Sequence, residues 1–134
     1  MVTRDATRGT RAEKRIERVR GLALGLPRAL EQSSYGFPVF SIGKGKIFLW
    51  LLVGAGSERA SLAVRTSGMD EQAMLLEVDC ELFFRPRYLG RWNWIGMRLD
   101  GRSLDWSQVE ARIVSSWIES ATPAQLRRYR PDQS

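Results

Sequence analysis

The stretch from Arg85 to Arg98 interleaves four arginines, Arg85, Arg87, Arg91 and Arg98, with Tyr88, Trp92 and Trp94. Guanidinium forks match phosphate oxygens, and aromatic rings stack on bases or on guanidinium planes. Together they are the side chains of a nucleic-acid surface. On an extended strand over 92–99, alternation puts Trp92, Trp94 and Arg98 on one side. A plainer use of the same residues has Trp92 and Trp94 packing a second small core and Arg98 pairing with a carboxylate. Lys44 and Lys46 flank Gly45 at an expected hairpin tip. There they either touch a backbone phosphate or guard a sheet edge against aggregation. The expected contact residues are therefore Lys44, Lys46, Arg87, Tyr88, Arg91, Trp92, Trp94 and Arg98.

Other chemistry is poorly provided for. The 134 residues contain no histidine, which removes Ser-His-Asp and Cys-His nucleophile systems and His-containing metal sites. Cys80 is the one cysteine, and Asp79 and Glu81 beside it disfavour a thiolate. Gly43-Lys44-Gly45-Lys46 lacks the lead-in and following helix of a P-loop. Ser33 and Ser34 lack the glycine frame of a nucleophile elbow. The acids Asp70, Glu71, Glu77, Asp79 and Glu81 lack both histidine partners and an EF-hand-like loop. No catalytic set, metal or cofactor is expected, and the chain reads as non-enzymatic. The net charge of +6 is uneven, with seven basic groups among residues 1–20 and none among residues 68–81. Such a surface suits a polyanion, or simply keeps the chain in solution.

One domain is expected over residues 11–130, behind a flexible basic tail of residues 1–10. The longest apolar run, Ile47 to Val53, is far short of the ~20 residues of a membrane helix. Gly21 and Gly25 break Leu22-Ala23-Leu24, which makes a poor signal-peptide core, so a cytoplasmic location is expected. Ile16, Val19, Leu22 and Ala23 recur at helical spacing over 11–25. Residues 27–38 read as a loop. Strands are expected at 39–42, 46–53, 59–66 and 92–99, with turns at 43–45 and 54–58. A helix over 69–78 takes Ser67 as N-cap and buries Met69, Ala73 and Leu76. Residues 79–91 read as an irregular link. Asp105 and Gln108 form a capping-box signal for a helix over 106–119 that buries Trp106, Val109, Ile113 and Trp117. Pro123 starts a last helical turn. The short early connections force antiparallel pairing. The fold class is α+β, an antiparallel sheet of about four or more strands with helices packed on one face.

An ordered set of segments carries a family resemblance across roughly three-quarters of the chain. It comprises Leu26-Pro27, Ser34-Tyr35-Gly36-Phe37-Pro38-Val39-Phe40, Gly45-Lys46-Ile47-Phe48, Phe83-Phe84-Arg85-Pro86-Arg87-Tyr88-Leu89-Gly90, Trp94-Ile95-Gly96-Met97-Arg98-Leu99, and Trp117 before Pro123. The set resembles the MmcQ/YjbR family of small bacterial proteins. That resemblance implies a compact α+β domain with a double-wing-like fold and DNA as the partner. Phe37 stands where family members often carry histidine. The other function compatible with the residues is a protein-interaction or regulatory module using the Trp/Arg-bearing sheet face, since Tyr, Trp and Arg also favour protein interfaces. The helical period places Trp117 in the core. Its replacement by Ala is expected to cost about 3–5 kcal/mol in a denaturant titration; a loss below about 1 kcal/mol would put the ring at the surface.

Overall fold

The computed structural model describes residues 10–53 and 60–130; the expected tail through residue 9 and the turn at 54–58 lie outside them. Helix α1 (Arg11–Leu24) opens on a reciprocal cap. The Thr10 hydroxyl accepts the Glu13 N–H at 3.0 Å, and the Glu13 carboxylate accepts the Thr10 N–H at 2.8 Å. Thr10, the last residue of the expected tail, therefore belongs to the helix. Val19 and Ala23 form its buried stripe.

The segment expected as a loop at 27–38 instead holds a hairpin. Strand β1 (Ala29–Ser34) pairs antiparallel with β2 (Phe37–Ile42), and Ser34 faces Phe37 across the turn. Tyr35 and Gly36 both have positive φ, 50° and 83°, as a two-residue turn of the primed type requires. β1 is an edge strand with its four middle residues exposed, so no hydrophobic alternation marks it in the sequence.

The rest follows the expected order. Strands β3 (Ile47–Val53) and β4 (Ala60–Arg65) lead to helix α2 (Met69–Val78). A short strand β5 (Phe83–Phe84) falls inside the expected irregular link, and a 3-10 turn covers Leu89–Trp92. Strand β6 (Trp94–Arg98), helix α3 (Trp106–Ser120) and helix α4 (Pro123–Tyr129) complete the chain. The sheet is six-stranded, ordered β1-β2-β3-β4-β6-β5, with every pairing antiparallel.

Alternation divides the sheet into two faces. Phe40, Ile42, Leu49, Leu51, Leu62, Val64, Ile95 and Met97 point to a single core that also takes Val19, Leu75, Val109, Ile113 and Trp117 from the helices. Trp117 is fully buried and its indole N–H donates to the Pro27 carbonyl at 2.9 Å. Trp106 is only half-buried, with the Arg18 guanidinium 4.3 Å from its ring centroid. Asp105 caps α3 by accepting the Ser107 and Gln108 N–H groups.

Helix α2 corrects two expectations. Its N-cap is Gly68, without a side-chain cap; the Ser67 N–H instead donates to Glu71 Oε1 at 2.7 Å. Its buried residues are Gln72 and Leu75, while Met69 and Ala73 are exposed and Leu76 is half-buried. The rotation brings Gln72 under the β6 entry, where two buried carbonyls need its amide.

Glu71 also pairs with Arg112 at 3.2 Å, joining α2 to α3. Burial by itself raises the Glu71 pKa. The Ser67 hydrogen bond and the Arg112 charge outweigh that, and the net shift is downward from 4.5. A lowered native pKa stabilises the fold fully above the ordinary carboxylate value, and the stabilisation disappears as pH falls through the native value. Glu71→Gln is therefore expected to be less stable than the parent at pH 7 in urea titrations. The difference closes as the pH drops below about 4. A difference that stays constant from pH 7 to pH 3 would contradict the ionic role.

Candidate nucleic-acid interface

Between β5 and β6 the chain makes a nine-residue excursion, Arg85 to Asn93, anchored from beneath. The buried Gln72 amide donates to the Gly90 carbonyl at 2.7 Å and to the Trp94 carbonyl at 2.6 Å. The Asn93 carbonyl accepts the Thr66 N–H at 2.9 Å and the Thr66 hydroxyl at 2.6 Å. Gly90 returns its N–H to the Pro86 carbonyl at 2.9 Å. The Arg85 side chain packs against Gly90, and a Cβ there would push it aside. Tyr88 and Asn93 take positive φ values of 64° and 74°. A tyrosine in this region is strained, and strained non-glycine residues persist where the surrounding structure holds them.

Side chains thrown outward by this loop line one groove of about 640 Å³: Arg85, Arg87, Arg91, Tyr88 and Trp92. Tyr88 is 84% exposed and Trp92 63% exposed. The Arg91 guanidinium lies 6.0 Å from the Trp92 ring centroid. Among the described residues, no carboxylate forms an ion pair with Arg85, Arg87 or Arg91. The groove therefore presents guanidinium groups free of carboxylates beside two largely exposed rings, one of which, Trp92, Arg91 approaches on its face.

Two residues expected in the site are used internally. Strand β6 starts at Trp94, not Trp92, so Trp92 leaves the shared strand face and sits in the 3-10 turn. Trp94 does lie opposite the core, but it is 4% exposed, with the Arg65 guanidinium 4.7 Å from its ring centroid. Burial lowers the Arg65 pKa, and its Nε–H donates to the Ile47 carbonyl at 3.0 Å. Arg98 donates from one terminal nitrogen to the carbonyls of Cys80, Glu81 and Phe83, at 3.2, 3.1 and 3.3 Å. It also lies 4.9 Å from the Phe84 ring centroid, and that ring lies over Gly96 with no room for a Cβ. The packing alternative thus holds for Trp94. For Arg98 the partners are carbonyls rather than a carboxylate.

Lys44 and Lys46 are exposed on the β2–β3 turn, as expected. Sequence reasoning missed Arg28 beside them. Its φ is 62°, and its carbonyl accepts the Gly43 N–H at 2.7 Å, which ties the α1–β1 link to this turn. No periodicity signals that link. Phe37, at the position noted for histidine, packs edge-to-face on Trp50 with centroids 6.3 Å apart. Among the described residues no helix is long and apolar enough to cross a membrane, and no cluster of three acidic, cysteine or histidine residues could hold a metal ion.

No family model matches the chain, and no curated protein matches it in sequence. A solved structure does match in fold. Deinococcus radiodurans protein DR2400, a DUF419 domain, aligns with a TM-score of 0.69 over 84% of this chain and 85% of that chain, at 15% sequence identity. The chain has the α+β fold of that domain.

The two arginine populations should separate experimentally. Arg98→Ala removes a charged donor from three carbonyls and is expected to cost about 1.5–3 kcal/mol in urea unfolding. The Arg87→Ala/Arg91→Ala double variant should stay within about 0.5 kcal/mol of the parent, as surface substitutions do. A stability loss for the double variant as large as for Arg98→Ala would mean the loop arginines are structural.

Proposed function

We propose that the protein is a non-enzymatic nucleic-acid-binding domain of the MmcQ/YjbR type, with DNA as its expected partner and the cytoplasm as its place of action. The observation that carries this reading is the Arg85–Trp92 groove. Three arginines without a carboxylate partner among the described residues and two exposed rings line it. The net charge of +6 favours a polyanion. The fold match to a DUF419 domain, a family related to MmcQ/YjbR, agrees with the resemblance read from the sequence segments. Lys44 and Lys46 remain candidate phosphate ligands, while Trp94 and Arg98 move to a supporting role. The protein-interaction reading has less support, because the sheet face it requires spends Trp94 and Arg98 on internal packing.

Fluorescence anisotropy on labelled duplex and single-stranded oligonucleotides across a salt series tests the reading. The parent protein should bind at micromolar concentration with a log–log salt dependence. Every phosphate that a variant no longer neutralises lowers that slope by about 0.9 on duplex and about 0.7 on single strands. Arg87→Ala/Arg91→Ala should therefore flatten it by two such steps. Absence of salt-dependent binding by the parent protein on either substrate would overturn nucleic-acid binding.

A further inference from the structure

Strand directions place several separate cationic segments at one end of the sheet. β2 runs toward the 43–46 turn, β4 runs parallel to it and ends at Arg65, and β5 runs the same way into the Arg85–Asn93 loop. The Gly43–Arg28 hydrogen bond adds the α1–β1 link to this end. Thr66 ties to Asn93 and Trp117 to Pro27, so the end of β4, the loop entering β6 and the C-terminal part of α3 meet there as well. The β2–β3 turn and the Arg85–Trp92 groove are separated by three strand positions in the sheet order, about 14 Å at normal strand spacing. Arg28, Lys44 and Lys46 stand on one side of this gap and Arg85, Arg87 and Arg91 on the other, all six without an ion pair among the described residues.

The acids are distributed differently. Glu77 lies in the last turn of α2, Asp79 and Glu81 follow that helix, and Asp100 and Asp105 follow β6, all at the opposite end. At the cationic end, Glu71 is already held by Arg112 and Ser67. Among the described residues, Asp70 opens α2 and Glu119 closes α3 at this end, and Glu31 of β1 is held by Arg20.

We infer that a single strand of nucleic acid is laid across this whole end of the sheet, from the Tyr88/Trp92 groove to the Lys44–Lys46 turn and Arg28. This rests on the nucleic-acid reading above and adds the strand state and the track. Tyr88 and Trp92 offer open ring faces, and a ring stacks only on a base that has left its duplex. The major groove of a duplex admits an α-helix or a two-stranded ribbon that reads its base edges. The loop projects only a four-residue 3-10 turn between extended segments. The groove holds bases, and the lysines on the far side hold backbone phosphates of the same strand.

The test uses oligothymidylates of about 4 and about 16 nucleotides, which bracket the site sizes of single-strand binding folds, and a 16-base-pair duplex. The parent should bind the long strand more tightly than the short strand and the duplex. Lys44→Ala/Lys46→Ala should flatten the salt slope on the long strand by about 1.4 and leave the short strand unchanged. Arg87→Ala/Arg91→Ala should weaken both lengths. A Lys14→Ala/Arg102→Ala variant removes the same net charge from exposed positions at the opposite end and should bind like the parent. Tighter duplex binding overturns the strand assignment. Equal binding of the long strand by the Lys44/Lys46 variant and the parent, or an equal loss in the Lys14/Arg102 variant, overturns the track while leaving the groove intact. No binding by the parent removes the underlying reading itself.

Discussion

The fold turns on a single hydroxyl wedged into its central ladder. Pairing of β3 with β4 ends at Leu49 and Val64, and the next pair in that register would be Phe48 with Arg65. Ser116 of α3 occupies the gap. It accepts the Arg65 N–H at 2.8 Å and donates its own proton to the Phe48 carbonyl. Without it, both backbone groups would lose a partner in the interior, at a cost of about 1–3 kcal/mol each. The wedge lets the two central strands part while their polar groups stay satisfied. It also fixes the register of α3 on the sheet, and the neighbouring Trp117 then reaches Pro27. In the parted region Arg65 bends to the Ile47 carbonyl and covers Trp94. The end of the sheet that carries the cationic loops is thus built on Ser116.

Arginine burial separates scaffold from surface in this protein. Arg15, Arg65 and Arg98 each spend donors on main-chain carbonyls at strand ends and turns. They are part of the scaffold. Arg85, Arg87 and Arg91 have the same chemistry but lie on a loop whose Gly90, Asn93 and Pro86 carbonyls are taken by Gln72, Thr66 and Gly90. Among the described residues their guanidinium groups form no ion pair, so their charge faces the solvent. The aromatic side chains divide in the same way. Trp94 and Phe84 pack against guanidinium planes, and Phe84 also covers Gly96, while Tyr88 and Trp92 stay largely exposed.

Where two faces of an element differ in polarity, the sequence predicts the structure well. Strand β4, helix α3 and the core positions Val109, Ile113 and Trp117 follow from apolar spacing, while β3 follows from an unbroken apolar run covered on both faces. The edge strand β1 has no such contrast; Glu31, Gln32 and Ser33 are exposed on both faces, and only its hairpin partner makes it a strand. Helix α2 is misjudged because a polar residue, Gln72, is its most buried one, chosen for hydrogen bonding rather than hydropathy. The Arg/aromatic cluster is legible as composition. Its division into a groove and a scaffold is not, because that depends on β6 beginning two residues later than alternation alone suggests. Arg28 joins the site through a positive φ and one main-chain hydrogen bond, which residue types do not encode.

The proposed function confines the ligand to the Arg85–Trp92 loop and the end of the sheet it shares. The most direct measurement is a two-dimensional 15N–1H NMR titration of the protein with an unlabelled oligothymidylate. The indole N–H of Trp92 and the amides of residues 85–93 and 43–46 should shift together and saturate together, while the indoles of Trp94 and Trp117 hold their positions. Shifts centred on α1, or spread evenly over the surface with no saturation, would contradict that confinement.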